Sequence, residues 1–206
     1  MPKAVGPVSN DASRQIAALA PYSVEVTIQG TTPMLFHRWS VEGVKPLPDR
    51  PGGKGVKKWD DVESYVYRND KGFLCLPGEY LRMSIVMAAK NRQDPRSPRK
   101  SAMDLYKACV LSLTELAPVM VGKKPCKEWD YLDQRRVTVM RAGITRVRPA
   151  FYAGWEATLV LMVQVPEYIG PSDLHAVLTD AGRLVGVADF RPTYGRFSVV
   201  KYEVLT

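Results

Sequence analysis

The sequence predicts an α+β fold whose core runs strand, helix, strand, strand, helix, strand. Apolar and polar residues alternate over residues 22–30, which is the period of a β-strand. Apolar residues recur at helical spacing over 78–90 and again over 172–184, and extended segments lie between and after them. This βαββαβ order is that of ferredoxin-like, or RRM-like, domains.

The first strand and first helix have the clearest patterns. Val24, Val26 and Ile28 alternate with polar residues, so they are expected to face the core. Pro77–Gly78 opens the helix over 78–90, and Leu81 and Ile85 lie one turn apart on its buried face.

The remaining core elements are predicted as strands over 108–113, 155–165 and 196–204 and a helix over 172–184. Gly170 and Pro171 are typical of the start of that helix. In the last strand, Val200, Tyr202 and Val204 are predicted to share one face.

The chain of 206 residues is interpreted as one domain over 22–206, preceded by a flexible arm over 1–21. Large insertions follow the first and second core strands, over 31–77 and 114–154. The first begins with loop composition and ends in a predicted pair of short strands, 63–68 and 73–76, joined by the turn Asn69–Gly72.

The charge balance points to a polyanionic partner. Lysine and arginine number 29 against 21 acidic residues, a formal charge of +8. Such a field attracts nucleic acid, although net charge has no bearing on the fold. No apolar stretch is long enough for a membrane span.

No metal or cofactor is expected. Cys75, Cys109 and Cys126 are widely spaced, which disfavours a zinc site or a disulfide framework. Cys75 and Cys109 lie beside apolar residues and are interpreted as buried apolar side chains in a reducing cytoplasm. Two acidic pairs, Asp60–Asp61 and Asp130 with Asp133, are weighed as magnesium ligands and rejected, since such pairs are usually solvated or capping.

The second insertion contains RRVTVMRAGITRVRP, in which Ala142–Gly143 is a candidate hairpin turn. Five arginines without an acidic residue between them would repel one another unless an anion lies among them. We therefore predict a projecting hairpin that binds a polyanion, with Arg146 and Arg148 on one face. The five arginines are Arg135, Arg136, Arg141, Arg146 and Arg148.

A second basic segment, over residues 90–100, contains Lys90 and Arg92 and only one acidic residue. A solvated, flexible linker and a nucleic-acid contact are equally good interpretations of it.

Two segments resemble the repeat-associated mysterious protein (RAMP) superfamily, which includes backbone subunits of CRISPR effector complexes. LPGEYLR at 76–82 resembles that family's entry into its first helix, and GRLVGVADFRPTYGRF at 182–197 resembles its glycine-rich loop, with Ala188 where the family pattern has a second glycine. The segment over 186–192 is also similar to one in uncharacterised tailed-phage proteins. These resemblances imply a protein of the bacterial cytoplasm that is encoded by the host or by a phage.

The RAMP resemblance implies a protein that grips a nucleic-acid strand with its sheet face and a thumb-like hairpin, and that forms a homo-oligomer or filament along the strand. The glycine-rich loop would contribute Arg191, Tyr194 and Arg196, with Tyr194 or Phe190 stacking on a base. Arg38 completes the expected set of contacts.

The predicted function is therefore sequence-tolerant binding of single-stranded DNA or RNA without catalysis. One alternative is a RAMP-type endoribonuclease in which His37 acts as acid or base and Arg38 stabilises the phosphorane. His37 has no obvious partner base, since His175 lies on the distant second helix. The other alternative is a structural phage assembly protein.

Overall fold

The computed structural model describes residues 20–38, 62–139 and 142–205. The predicted arm therefore lies almost wholly outside the described residues, as do Asp60–Asp61 and Arg141.

The strands are β1 Tyr22–Gly30, β2 Met34–Leu35, β3 Cys75–Pro77, β4 Gln93–Asp94, β5 Ser97–Ser101, β6 Val110–Ser112, β7 Leu116–Pro118, β8 Met120–Val121, β9 Lys124–Pro125, β10 Tyr131–Val139, β11 Ala142–Phe151, β12 Glu156–Val163 and β13 Phe197–Leu205. The helices are α1 Gly78–Ala89, α2 Met103–Cys109 and α3 Pro171–Asp180, with a 3₁₀ turn at Val62–Tyr65 and a π turn at Ala181–Val185.

The main sheet is antiparallel and centred on β1. Strand β13 pairs with one edge of β1 and β12 with the other, while β6 and β8 both pair with the far edge of β12. Together with the helices this gives a mixed α+β fold with antiparallel sheets, as predicted. Strand β1 has the predicted bounds.

The core lies between the main sheet and the helices. Val24, Val26 and Ile28 are fully buried on one face of β1, against residues that include Leu81 of α1 and Leu174 of α3. Each such side chain contributes about 1.5–3 kcal/mol on burial, which is why the alternation in β1 specifies its register so strongly.

A second sheet is built on the arginine-rich hairpin. Strands β10 and β11 pair along their length, and β2 pairs with the end of β11 through Leu35 and Ala150. Ala142 pairs with Val139 and Gly143 with Thr138, so both residues belong to β11 and the predicted Ala142–Gly143 turn is wrong. Residues 140–141 lie outside the described part of the chain.

The predicted strand over 63–68 is wrong. A 3₁₀ turn occupies Val62–Tyr65, and only a single bridge joins Arg68 to Leu74. The turn between them is confirmed, because Asn69 Oδ1 accepts hydrogen bonds from the backbone N–H groups of Lys71 and Phe73. Such side-chain capping closes a turn without needing a regular strand on either side.

The interpretation of residues 90–100 as a linker is also wrong, because β4 and β5 form a hairpin there. The buried carboxylate of Asp94 holds this hairpin together, because it accepts hydrogen bonds from the backbone and side chain of Arg96. Helix α2 ends at Cys109, where the predicted second core strand had already begun, and the observed strand is the shorter β6.

Strand β13 contains an irregularity that changes which residues face the core. Ile28 pairs with Val199 and Thr27 with Lys201, so Val200 is left without a partner on β1. The bulge reverses the alternation beyond it. Val199 and Tyr202 consequently pack against the core, whereas Val200 is half exposed, contrary to the predicted face.

Candidate nucleic-acid interface

One face of the arginine-rich hairpin carries most of its charge. Arg135 lies opposite Arg146, and Asp133 lies opposite Arg148. Residues directly opposite in an antiparallel pair share a face, so these four side chains lie together, and Arg146 and Arg148 share a face as predicted. Arg136 pairs with Thr145 and belongs to the other face.

Arg148 is buried and ion-paired with Asp189 of the glycine-rich loop. Its side chain is 7% exposed, and its Nε donates to Asp189 Oδ2 at 2.5 Å. Its Nη1 is also buried and has no hydrogen-bond partner in the described part of the chain. The prediction that Arg148 is exposed and unneutralised is therefore wrong, because its charge is matched by a carboxylate 41 positions further along the chain.

Arg135 is neutralised as well. It forms a two-pronged ion pair with Asp133, and its Nη2 donates to the Tyr194 hydroxyl at 2.5 Å. The hydrogen bond that Arg135 donates to Asp133 raises the pKa of Arg135 above its ordinary value. The guanidinium carbon lies 4.9 Å from the Phe190 ring centre and 4.6 Å from that of Tyr194, within cation–π distance.

The glycine-rich loop is held in a conformation that side chains rarely adopt. Gly186, Ala188, Phe190 and Gly195 all have positive φ, at 80°, 63°, 59° and 72°. A Cβ at Gly195 would lie 1.8 Å from the Val187 carbonyl oxygen, so only glycine fits there. Backbone hydrogen bonds at 2.8–3.0 Å tie the loop to itself and to the segment around β2.

Ala188 therefore occupies a position whose backbone conformation favours glycine. Positive φ costs alanine roughly 1–2 kcal/mol, whereas glycine loses roughly 0.5–1 kcal/mol more chain entropy on folding. We expect Ala188→Gly to raise the free energy of unfolding by about 0.5 kcal/mol in urea titrations. A comparable decrease would show that the Ala188 methyl group packs favourably enough to outweigh the strain.

His37 joins the hairpin to the first insertion. Its ring centre lies 4.5 Å from that of Tyr65, and its Nε2 lies 3.4 Å from Arg146 Nη1. His37 thus lies beside a cation, while His175 is on α3 against Tyr202, with ring centres 5.0 Å apart. The two histidines do not form a pair.

A row of tyrosines continues the surface towards α1. The Arg38 guanidinium carbon lies 5.0 Å from the Tyr67 ring centre, and the Tyr67 and Tyr80 hydroxyls are 3.2 Å apart. Burial raises the pKa of Tyr80 above its ordinary value, and its hydrogen bond with Tyr67 raises it further. Tyr80 thus joins the first turn of α1 to Tyr67 and Arg38.

We call this continuous region the basic–aromatic surface. Its arginines number six against the carboxylates of Asp133 and Asp189, a local charge of +4. Among the six, Arg38, Arg191 and Arg196 are exposed and Arg146 is half-buried. The surface comprises Arg38, Arg135, Arg146, Arg148, Arg191 and Arg196 with His37, Tyr65, Tyr67, Tyr80, Phe190 and Tyr194.

Lys90 and Arg92 are not part of this surface. They follow the last residue of α1, ten and twelve residues beyond Tyr80, which is about 15 Å or more along a helix. Arg92 is paired with Asp180 of α3, its Nε lying 2.9 Å from Oδ2. These two predicted contacts are therefore separated from the rest, and Arg92 forms an ion pair with α3.

Sequence reasoning missed Tyr65, Tyr67 and Tyr80 as members of the surface and missed the pairing of Asp133 and Asp189 with arginines. Tyr65 and Tyr67 carried a usable signal, since two aromatic residues flank the buried Val66 just before Arg68. The Asp189 pairing had no local signal, because the notable neighbour in sequence was Arg191 rather than Arg148.

The open face of the main sheet has the opposite charge. It presents Glu25, Glu156 and Glu203 with Lys201, whose Nζ lies 2.6 Å from Glu25 Oε1. The resemblance implied that the sheet face grips nucleic acid, but three carboxylates against one ammonium would repel phosphates. The basic–aromatic surface instead lies beyond the end of the sheet, where β1 ends and β13 begins.

The described residues contain no group of three or more histidine, cysteine or acidic side chains arranged to hold a metal ion. Asp130 accepts the backbone N–H of Tyr152, and Asp133 is paired with Arg135. None of the described helices is long and apolar enough to cross a membrane.

A scan against models of known protein families finds no match, and a search of curated proteins finds no relative. A search of solved structures finds a similar chain in the cryo-EM structure of the Type III-B Cmr-beta bound to cognate target RNA. The two chains are 11% identical with a TM-score of 0.52, and the similarity covers 90% of this chain but 61% of that one. The likeness is one of fold, to a chain distinctly longer than this one.

Proposed function

We propose that the chain binds single-stranded RNA along the basic–aromatic surface and does not cut it. The observation that carries the proposal is the alternation of guanidinium groups with aromatic rings along one continuous surface. Guanidinium groups pair with phosphates and rings stack on unpaired bases, and stacking tolerates any sequence because every base has a π face.

We propose further that the core is ferredoxin-like and related to the RAMP superfamily. The spatial order β13, β1, β12, β6, with α1 and α3 each linking a pair of strands, supports this assignment. Gly78 at the entry of α1 supports it too, since a Cβ there would lie 1.9 Å from the Thr114 carbonyl oxygen. The similarity to a chain from an RNA-bound assembly favours RNA over DNA as the ligand.

We propose a binding role rather than a catalytic one for His37. Its ring lies against that of Tyr65, with the ring centres 4.5 Å apart, and its Nε2 lies 3.4 Å from Arg146 Nη1. An aromatic ring packed against a guanidinium group restricts its orientation, so we assign His37 to positioning Arg146. The endoribonuclease alternative is tested directly by assaying RNA cleavage.

The test is fluorescence anisotropy with a labelled poly(U) oligonucleotide across a salt series, beside matched single-stranded DNA and duplex RNA. Four accessible arginines, each meeting one phosphate at roughly 0.7 per contact, predict a log–log salt slope of about 3. The same samples should remain uncut on a denaturing gel. Salt-independent binding or a preference for duplex would contradict the proposal, and cleavage that is lost in His37→Ala would support the endoribonuclease instead.

A further inference from the structure

A pair of stacked tyrosines lies at the base of the arginine-rich hairpin. The rings of Tyr131 and Tyr152 are nearly parallel, with centres 4.6 Å apart and an angle of 24° between their planes. Tyr131 covers one face of the Tyr152 ring, yet Tyr152 remains 61% exposed, compared with 39% for Phe190. The other face of the Tyr152 ring is therefore open to solvent. Neither tyrosine belongs to the basic–aromatic surface.

The surrounding chain holds Tyr152 in place. Phe151 precedes it and Trp155 follows three residues later, and both are fully buried. The Tyr152 backbone N–H donates to Asp130 Oδ2 at 2.8 Å, and the Asp130 N–H donates to the Ala150 carbonyl oxygen at 3.0 Å. An aromatic side chain that is already fixed loses little conformational entropy when a ligand binds to it. Tyr152 is thus a preorganised, flat binding surface.

The tyrosine pair continues the charged face of the hairpin. Tyr131, Asp133 and Arg135 alternate along β10, so their side chains share that face. Ala150 lies opposite Tyr131, and Tyr152 follows two residues later as the diagonal neighbour of Tyr131. Four residues of strand separate Tyr131 from Arg135 by about 14 Å. At 3.4 Å between stacked bases, a nucleic-acid strand covers that distance in about four nucleotides.

The charges beside the tyrosine pair favour a base over a phosphate. Arg135 is already paired with Asp133, and the Asp130 carboxylate lies against the backbone of Tyr152. That carboxylate would repel a phosphate, whereas a base is uncharged and stacks on an aromatic ring through its π face. A purine has the larger π face, and differences in stacking strength give modest base preferences.

We infer that the open face of the Tyr152 ring binds a base of the RNA strand, with a preference for purines. The inference rests on the proposed function, because it extends the path of the bound strand from the basic–aromatic surface to the base of the hairpin. The contact differs in kind from those of the arginines. Stacking neutralises no phosphate, so the Tyr152 site adds affinity without adding to the salt slope.

The test compares single strands with and without bases. Anisotropy titrations use labelled poly(A), poly(U) and abasic oligomers of equal length. Tyr152→Ala should weaken poly(A) binding about tenfold and poly(U) binding less, because one stacked base is lost. Binding of the abasic oligomer and the salt slope should not change. The stacking of poly(A) on itself affects parent and variant alike and cancels in the ratio of their Kd values.

Three further variants separate stacking from folding. Tyr152→Phe keeps the aromatic ring and should bind poly(A) as the parent does. Tyr152→Leu keeps apolar bulk against Tyr131 but has no π face, so it should lose affinity as Tyr152→Ala does. Tyr168→Ala removes an exposed tyrosine that lies over Arg96, away from the hairpin, and should leave poly(A) binding unchanged. Circular dichroism establishes that each variant is folded.

The inference is overturned if Tyr152→Ala binds poly(A) as tightly as the parent. It is also overturned if Tyr152→Ala loses as much affinity for the abasic oligomer, since Tyr152 would then only shape the hairpin. Failure of the proposed function is a separate result, because the parent alone would show it by binding without a salt slope or by not binding any single strand.

Discussion

Replacing Arg38, Arg146 and Arg191 together by alanine is expected to weaken single-stranded RNA binding about a hundredfold and to flatten the salt slope by about 2. Arg38 lies over the Tyr67 ring and Arg146 beside His37, while Arg191 is exposed and directly follows Phe190 in the glycine-rich loop. Each lost phosphate contact lowers the salt slope by about 0.7, so three lost contacts lower it by about 2. Each contact contributes about 1 kcal/mol of binding free energy, so the loss of three raises the Kd about a hundredfold. Anisotropy titrations across a salt series measure both.

The matched control removes the same charge elsewhere. Lys90, Arg99 and Lys100 are exposed residues in and beside the β4–β5 hairpin, beyond the far end of α1. Their replacement by alanine should change the log–log salt slope by less than about 0.7, the value that corresponds to one phosphate contact. If the two triple variants lose affinity equally, the chain attracts RNA through its net charge and the basic–aromatic surface is not its binding site.

The elements that could be predicted are those whose pattern is local and strong. Strand β1 was predicted with its observed bounds because Val24, Val26 and Ile28 alternate with polar residues over a long run. Helix α1 was predicted to within a residue because Pro77–Gly78 marks its start and its apolar spacing is uninterrupted. In both, local propensity and burial agree.

The wrong predictions concern features that depend on residues distant in the sequence, such as strand register and the neutralisation of arginines. The bulge in β13 depends on how Val199 and Lys201 meet β1, and an alternating sequence does not reveal an unpaired residue. The hairpin face was predicted, but the arginines that remain available were not, because Asp189 lies far along the chain from Arg148. Predictions that rest on counting charges within one segment miss such partners.

The Arg148–Asp189 pair is expected to respond unequally to the loss of either partner. Arg148 is 7% exposed and Asp189 33% exposed, so the carboxylate has access to water and the guanidinium does not. Asp189→Ala leaves the buried Arg148 cation without its counter-ion and should lower the free energy of unfolding by about 3 kcal/mol, the lower end of the range for a broken buried ion pair. Arg148→Met leaves a carboxylate that water can reach, together with an apolar side chain of similar length, and should cost about 1–2 kcal/mol.

Urea titrations of the two single variants and of Arg148→Met/Asp189→Ala test this asymmetry. The double variant should be more stable than Asp189→Ala alone, because it removes the stranded charge, and the coupling between the sites should exceed about 1 kcal/mol. For a chain of this size a loss of about 3 kcal/mol corresponds to a fall in Tm of roughly 6–12 °C. Arg146→Met, which removes a half-buried arginine beside His37, is the control and should cost less than about 1 kcal/mol. Equal losses for Arg148→Met and Asp189→Ala would mean that water reaches both charges alike, and Arg148 would then return to the set of residues available to bind phosphate.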